Sequence, residues 1–367
     1  MMTPIVRLRL LLSLVALAGC LEVADGRARR DQTIGQASAA GITITVDGGL
    51  AHVRQFEAGR ARLWAQAPVI SFTITRDPAA AAAPLDLTLD NILADAQLLD
   101  EAGQPLASDP GDDPFPTRRH FQIPPGPASQ RLTLRPTDAD RRDRFRIGVF
   151  ADVQERIGDV GDIYTRMNQD PTIRFIVMNG DLTNRGTFKQ LDRFQREMRA
   201  LNIPIYATLG NHELGTRDDY FHEFFGRGNF SFEFRGARFT LLDSASATLS
   251  PLTYDMLDGW LRDGQDRFHF VGMHIPPLDP VGLRGGGFAS HLEANTLLAR
   301  LAGMGVNLTI YGHVHSYYAF SNAGIPAHIT GGGGAIPERL DGIGRHFLTV
   351  DIDPDTQLFQ VGIVRVD

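Results

Sequence analysis

The sequence predicts a mixed α/β protein of α+β type: a two-sheet βαβ sandwich flanked by helices, preceded by a small all-β sandwich. Three observations predict it. From Phe145 onward, apolar runs of strand length alternate with stretches of helical spacing. Between about 41 and 138, short alternating runs are separated by Gly, Pro and Asp, as in a sandwich. Finally, five apolar runs after Phe145 each end in a short block of Asp, Asn, Gln, Glu or His.

At the start, Arg7 and Arg9 accompany an apolar run from Leu8 to Ala18, broken only by Ser13 and closed by Leu17-Ala18-Gly19-Cys20. This is a secretory signal layout, and its end resembles a bacterial lipoprotein lipobox. The run is short for a membrane span. The expectation is a signal peptide over 1–19, a lipidated Cys20, and a flexible tether over 20–40, a stretch rich in Arg, Ala, Gly and Gln. Position 21 is Leu rather than Asp. By resemblance to enterobacterial sorting, that implies a bacterial envelope protein, lipid-anchored at the periplasmic face of the outer membrane. Cys20 is the only cysteine, so disulfides and cysteine catalysis are excluded. Cleavage before Cys20 removes Arg7 and Arg9 and takes the formal net charge from -7 to -9. That balance speaks against a nucleic-acid surface, which needs clustered Lys and Arg.

In the region 41–138, Ile42–Val46, Ala61–Ala65, Val69–Ile74, Leu85–Leu89 and Arg131–Leu134 read as strands. Its polar residues form no constellation, and His52 and His120 stand alone. Residues Ser108 to Pro127 are rich in Asp, Gly and Pro and read as a long loop. Thr137 to Arg144 reads as a solvated charged linker. The domain that follows, 145–367, has strands expected at 146–151, 173–178, 204–209, 268–273 and 308–311. Helices are expected near 158–168, 187–200, 253–262 and 292–302; Phe188, Leu191, Phe194, Met198 and Leu201 keep helical spacing. Phe230–Phe234 and Arg238–Leu242 read as a hairpin, and the last strands as antiparallel.

The polar blocks are Asp152-Val153-Gln154, Asn179-Gly180-Asp181, Gly210-Asn211-His212-Glu213, Met273-His274 and Gly312-His313-Val314-His315. Loops at the carboxyl ends of strands in open α/β sheets converge on one crevice. Carboxylate, amide and imidazole groups gathered there suit a pair of divalent transition metals. In this order the blocks resemble the metallophosphoesterase family, also called calcineurin-like phosphoesterases, over about 145–366. Its pattern is Asp-x-His, Gly-Asp-x-x-Asp/Asn, Gly-Asn-His-Asp/Glu, His and Gly-His-x-His.

The resemblance implies two divalent ions (Mn, Fe, Zn or Mg). The first is held by Asp152, position 154, Asp181 and His315, and the second by Asp181, Asn211, His274 and His313, with Asp181 as the bridge. Such a pair ionises water for attack on phosphorus. The resemblance also implies His212 as donor to the leaving group, Glu213 as the acid that orients its ring, and Arg185 as a contact to substrate phosphate. Gln154 departs from the pattern, which has His there. It is either a harder, weaker ligand of the first ion or points away and leaves its place to water. No Tyr stands near Asp181, so a tyrosinate-iron site is not expected.

His222, His269, His291, His328 and His346 read as structural. The loop Ile275 to Ser290 reads as a lid, and Gly331 to Gly334 as a cramped turn near the site. The expected function is hydrolysis of a phosphomonoester or phosphodiester outside the cytoplasm. The substrate would be a phosphorylated small molecule, nucleotide or lipid, and nothing bears on oligomeric state. The alternative is a surface lipoprotein with a degenerate metal site whose sandwich binds a partner, supported by Gln154.

Overall fold

The computed structural model describes residues 23–109, 115–215, 217–282, 285–339 and 343–366; the expected signal peptide and Cys20 lie outside them. Among the described residues no helix is long and apolar enough to cross a membrane.

The first half forms two five-stranded sheets. One runs β1 (Gln36–Ala39), β2 (Ile42–Val46), β5 (Ile70–Arg76), β10 (Ser129–Pro136) and β7 (Ala96–Leu99), in that spatial order. The other runs β3 (Ala51–Glu57), β4 (Arg60–Ala65), β6 (Leu85–Asp90), β9 (Arg118–Ile123) and β8 (Ser108–Asp109). Ile44, Phe72, Ile74, Leu63, Leu87 and Ile123 are buried in their common core. The loop expected over 108–127 therefore contains a strand. Buried Phe121 and Ile123 alternate there with Arg, His and Gln, so the polar neighbours hid the pattern.

The second half also has two mixed sheets. In the first, β13 (Ile205–Thr208), β12 (Ile173–Asn179) and β11 (Phe145–Phe150) lie parallel, with β20 (His346–Ile352) and β21 (Phe359–Arg365) added antiparallel. The second is ordered β14 (Phe230–Phe234), β15 (Ala237–Leu242), β16 (His269–Met273), β17 (Leu308–Tyr311), β19 (Ile325–Thr330) and β18 (Tyr317–Asn322). Its middle strands β15, β16, β17 and β19 run parallel. The parallel strands read as near-continuous apolar runs because both their faces are covered. Phe175 sits between the sheets, with Tyr206, Phe232, Phe234 and Phe239 rings 5.2–5.7 Å away.

Helices cover the outer faces: α2 (Gly161–Asn168), α3 (Phe188–Glu197), α4 (Tyr220–Phe225), α5 (Pro251–Asp263) and α6 (His291–Gly303). The Thr187 and Ser250 side chains cap α3 and α5 by accepting from backbone N–H groups, and Pro251 opens α5.

The expected tether over 20–40 does not hold for its described part, 23–40. Residues 23–31 are helical (α1), and β1 follows. The helix escaped notice because its inner face, Ala24, Arg27, Ala28 and Asp31, keeps helical spacing without being apolar. Arg27 donates to Asp243 at 2.6 and 3.1 Å, and both are buried. Asp31 accepts from the N–H groups of Gly228 and Asn229 and from the Asn229 amide at 2.8–3.0 Å, with His222 Nε2 also at 3.0 Å.

The two halves are pinned in the same way. The buried Asn91 amide donates to Ala65 and Ile205 carbonyls and its oxygen accepts from Ile205 N–H, closing the free edge of β13. The run Thr137–Arg144 is not a free linker, since Asp138 pairs with Arg174 and Arg235, and Asp143 with Arg235.

Breaking one partner of a buried ion pair typically costs about 3–5 kcal/mol. Arg27→Ala is accordingly expected to lower stability by about that amount in urea unfolding. A free tether predicts no change.

Candidate metal centre

Every polar block lies at the carboxyl end of a strand: Asp152 after β11, Asp181 after β12, Asn211 after β13, His274 after β16, His313 and His315 after β17. The chain must turn sharply there. Asp152, Gln154, Asp181 and His313 all adopt left-handed backbone angles, with φ of 62°, 47°, 51° and 70°. Non-glycine residues in that region cluster where function holds them. Glycine permits the close approach of neighbouring loops. A Cβ on Gly210 would lie 2.1 Å from Asp181 Oδ1, and one on Gly333 2.4 Å from the Ala151 carbonyl. The second contact bears out the cramped Gly331–Gly334 turn.

Asp152 and Asp181 are fully buried. One ligand atom from each, with one from His274, forms a cluster whose members all lie within 4.8 Å of one another. Asp181 Oδ1 accepts from the His212 backbone N–H at 3.0 Å; its Oδ2 accepts from the Gln154 amide at 2.9 Å and lies 3.3 Å from His274 Nε2. Burial pushes the Asp181 carboxyl up, but the His274 ring and the His212 N–H outweigh it and hold the group well below the usual range. Asp152 Oδ2 accepts from His313 N–H at 3.0 Å. Its Oδ1 is buried with no hydrogen bond, 3.5 Å from His315 Nε2.

The histidine rings are oriented by main-chain carbonyls. His274 Nδ1 donates to Asn179 O at 2.9 Å and His315 Nδ1 to Ile336 O at 2.8 Å, so each turns Nε2 inward. Asn211 Oδ1 lies 3.0 Å from both His274 Nε2 and His313 Nδ1. Burial disfavours charge on His274, yet Asp181 and Asp152 hold its pKa up at about 9. Burial and the charge on His274 pull His313 down to about 4. Gln154 is in the cluster, its amide 2.9 Å from Asp181 Oδ2 and 3.1 Å from His315 Nε2. A half-turn of the amide puts oxygen at the same place.

These residues fit divalent ions. The donor set is two carboxylates, two amides and three imidazoles, and the bare Asp152 Oδ1 is a buried acceptor that a cation satisfies. The expected ligands Asp152, Gln154, Asp181, Asn211, His274, His313 and His315 are all brought together.

Residues 145–317 match the calcineurin-like phosphoesterase family. This stretch is a calcineurin-like phosphoesterase domain. The chain is 25% identical over 158 residues to a 3',5'-cyclic-nucleotide phosphodiesterase of Nostoc sp., a match covering 40% of this chain and 58% of that protein. Among solved structures, a dimetal phosphatase from Danio rerio is similar at 15% identity and a TM-score of 0.46, over 61% of this chain and 99% of that one. GAP50 of Plasmodium, an anchor in the inner membrane complex, is similar at 16% identity and a TM-score of 0.45, over 61% and 85%.

One expected role needs correction. Glu213 does not touch the His212 ring. It is buried, and it accepts from Gly210 N–H, Thr183 N–H and Thr183 Oγ1 at 2.9–3.0 Å. The carboxylate satisfies the Gly210 N–H at the start of the 211–214 turn and, at the same time, the Thr183 donors in the loop after Asp181. Burial, then the charge on Asp181, pushes the Glu213 pKa up to about 8. The ring of His212 is fixed instead by the Asn184 carbonyl, 2.7 Å from Nδ1, which leaves Nε2 facing the site 3.8 Å from Asp181 Oδ2. Sequence reasoning missed the carbonyls of Asn179, Asn184 and Ile336; Asn179 and Asn184 lay within recognised motifs, whereas Ile336 lay in none. Arg185 is exposed and shares with Asn184, Thr187, Asn211, His212 and Gly215 the rim of an open cavity of ≈ 460 Å³.

Glu213→Ala leaves three buried donors unpaired, at about 1–3 kcal/mol each. The variant is expected to lose at least about 3 kcal/mol in urea unfolding and to bind less metal by elemental analysis. A Glu213 that merely orients His212 would instead lower turnover and leave both unchanged.

Proposed function

We propose that this protein hydrolyses phosphoesters outside the cytoplasm, with two divalent metal ions held by the seven-residue cluster. The observation that carries the reading is the buried convergence of Asp152, Asp181 and His274 within 4.8 Å. Asp152, Gln154, Asp181 and His315 would hold one ion, and Asp181, Asn211, His274 and His313 the other. Bound there, the ions neutralise phosphoryl charge and make water a nucleophile at neutral pH.

The chain's own groups do the rest. Asp181 lies between both ligand sets and offsets the repulsion of two cations. The Asn184 carbonyl fixes His212 so that its Nε2 is the nitrogen turned toward the reacting group; from there it delivers a proton to the leaving oxygen. Arg185, at the rim, offers its planar fork to the remaining phosphate oxygens.

The mouth is open, and among the described residues that line it Arg185 is the one permanent cation. A phosphomonoester has two negative charges and favours a deeper, more basic pocket. The open mouth therefore favours a phosphodiester, of a nucleotide or a lipid, and the similarity to a cyclic-nucleotide phosphodiesterase points the same way. The lipobox-like Leu17-Ala18-Gly19-Cys20 supports a lipid anchor. Residue 23 is already helical, and three residues of chain reach at most about 10 Å, so a lipidated Cys20 would hold the fold close to the membrane. Cys20→Ser is expected to move the protein from the membrane fraction to the soluble one on cell fractionation.

The direct test is hydrolysis of bis-p-nitrophenyl phosphate and p-nitrophenyl phosphate, with Mn²⁺ and with chelator. Metal-dependent turnover, faster on the diester, is the expected result. A folded, metal-loaded protein inert on both supports the partner-binding alternative. His212→Ala should lower kcat by about 10²- to 10⁴-fold with metal content unchanged. Asp181→Asn should lose both metal and turnover.

A further inference from the structure

The first helix meets the fold at a particular edge. α1 lies across the loop that follows β15: Asp25 accepts from Ser250 Oγ at 2.9 Å, and Arg27 grips Asp243 and Ser246. That loop stands at the carboxyl ends of the parallel strands, the edge that carries the metal centre. The same loop ties down α6, because Glu293 accepts from Thr248 Oγ1 and Leu249 N–H at 2.7 and 2.9 Å. Ala289, just before α6, donates to the Ala247 carbonyl. The chain that precedes Val23 therefore reaches the fold at the metal edge and not at the far end of the sheets.

The exposed apolar side chains are unevenly placed. Among the described residues the large ones are Val23, Phe188, Leu292, Ile336, Leu358 and Ile363. Val23 precedes Asp25 on α1. Phe188 opens α3, next to Thr187 at the rim of the metal cavity. Its ring meets those of Phe224 and Tyr220 edge-on at 4.9 and 5.8 Å. Leu292, 79% exposed, is in the first turn of α6. Ile336, 72% exposed, is the residue whose carbonyl holds His315. These four stand at the metal edge. Leu358 is in the turn between β20 and β21, at the opposite edge, since Ile352 at the end of β20 pairs with Phe145 at the start of β11.

A lone exposed apolar residue is ordinary. Four at the edge where the chain emerges are a different observation, because apolar tips beside a lipid anchor add to its hold on a bilayer. Charge at this edge is partly self-neutralised: Arg30 pairs with Asp218, and Arg217 with Asp219.

We propose that the metal edge is the face this protein lays against a lipid bilayer, with Val23, Phe188, Leu292 and Ile336 entering the headgroup layer. The inference rests on the lipid anchor at Cys20 proposed above, three residues before Val23. The buried Arg27–Asp243 pair then has a second consequence. It fixes where the anchor meets the fold, and so which face turns to the membrane. Seated this way, the metal centre lies beside phospholipid headgroups, which are themselves phosphodiesters.

The test uses the full chain, made with its leader and carried in lipidated form into phosphatidylcholine vesicles. Their zwitterionic headgroups do not repel a chain of formal net charge -7. Cys20 is the only cysteine and carries the lipid, so Phe188→Cys, Leu292→Cys or Leu358→Cys supplies one free thiol for a fluorescent label. Lipids bearing a nitroxide beneath the headgroup quench such a label only at short range. The six residues of β11 set the two edges about 20 Å apart, so the two sides read differently. Labels at positions 188 and 292 are expected to lose at least about half their fluorescence, and the label at position 358 to keep it. Equal quenching at all three positions, or none at any, on vesicles that still carry the protein in flotation overturns this inference and leaves the anchor standing. Protein left behind by the floating vesicles overturns both. Turnover of bis-p-nitrophenyl phosphate by the same labelled proteins reads the catalytic proposal separately.

Discussion

Two carboxylates buried side by side set the terms for this molecule. Asp152 and Asp181 have almost no contact with solvent, and stripping water from a carboxylate costs several kcal/mol unless other charges and donors replace it. The compensation comes from separate strands. The His274 ring arrives from β16, the His313 N–H from the end of β17, the His212 N–H from the turn after β13, and the Gln154 amide from the turn after β11. None of these elements supplies enough alone. The βαβ arrangement is useful because parallel strands deliver all their carboxyl ends to one edge. One acceptor, Asp152 Oδ1, keeps no hydrogen bond, and a buried carboxylate oxygen left in that state is one a cation could satisfy.

Holding such a cluster needs a stiff frame. Four of its residues sit at left-handed backbone angles, each a local cost that the surrounding structure must outweigh. Glu213 contributes by joining the Asp181 loop to the Gly210 turn from below. Farther out, Asn91 clamps β13 to the sandwich, and Arg27 and Asp31 lock α1 onto the loops around Gly228 and Asp243. The apolar core of the sandwich runs on into the core between the two larger sheets. The N-terminal region is therefore part of the support of the phosphoesterase domain, not an appendage to it.

The ligand set was legible because metal chemistry restricts residue type and because parallel strands announce themselves as apolar runs. Residue type and place single out the polar blocks, the family resemblance picks Asp152, Asp181, Asn211, His274, His313 and His315 from them, and Gln154 joins them as the departure that still faces inward. What stayed hidden was structure whose partners are polar. α1 buries an Arg and an Asp, and β9 sets Phe121 and Ile123 among charged neighbours. Hydropathy cannot distinguish a buried ion pair from two exposed charges, since the difference lies in a residue 216 positions away for Arg27 and Asp243. The role given to Glu213 failed for a related reason. Adjacency in a motif suggested a contact with His212, whereas on the tight 211–214 turn successive side chains point apart.

His212, His274 and His315 show where the orientation of the centre is encoded. Each ring is set by a main-chain oxygen, that of Asn184, Asn179 and Ile336 respectively. A carbonyl is present whatever the side chain, so these contacts tolerate substitution and depend on the path of the backbone. Two of the three oxygens belong to the loop that carries Asp181, within three residues of it. That single turn therefore supplies the Asp181 carboxylate, fixes the inward nitrogen of His274 and aims His212 at the mouth. Changing its length by one residue would displace all three functions together, while a substitution at Ile336 would leave the aim of His315 intact. The geometry of the centre is thus a property of loop length more than of the residues that flank the ligands.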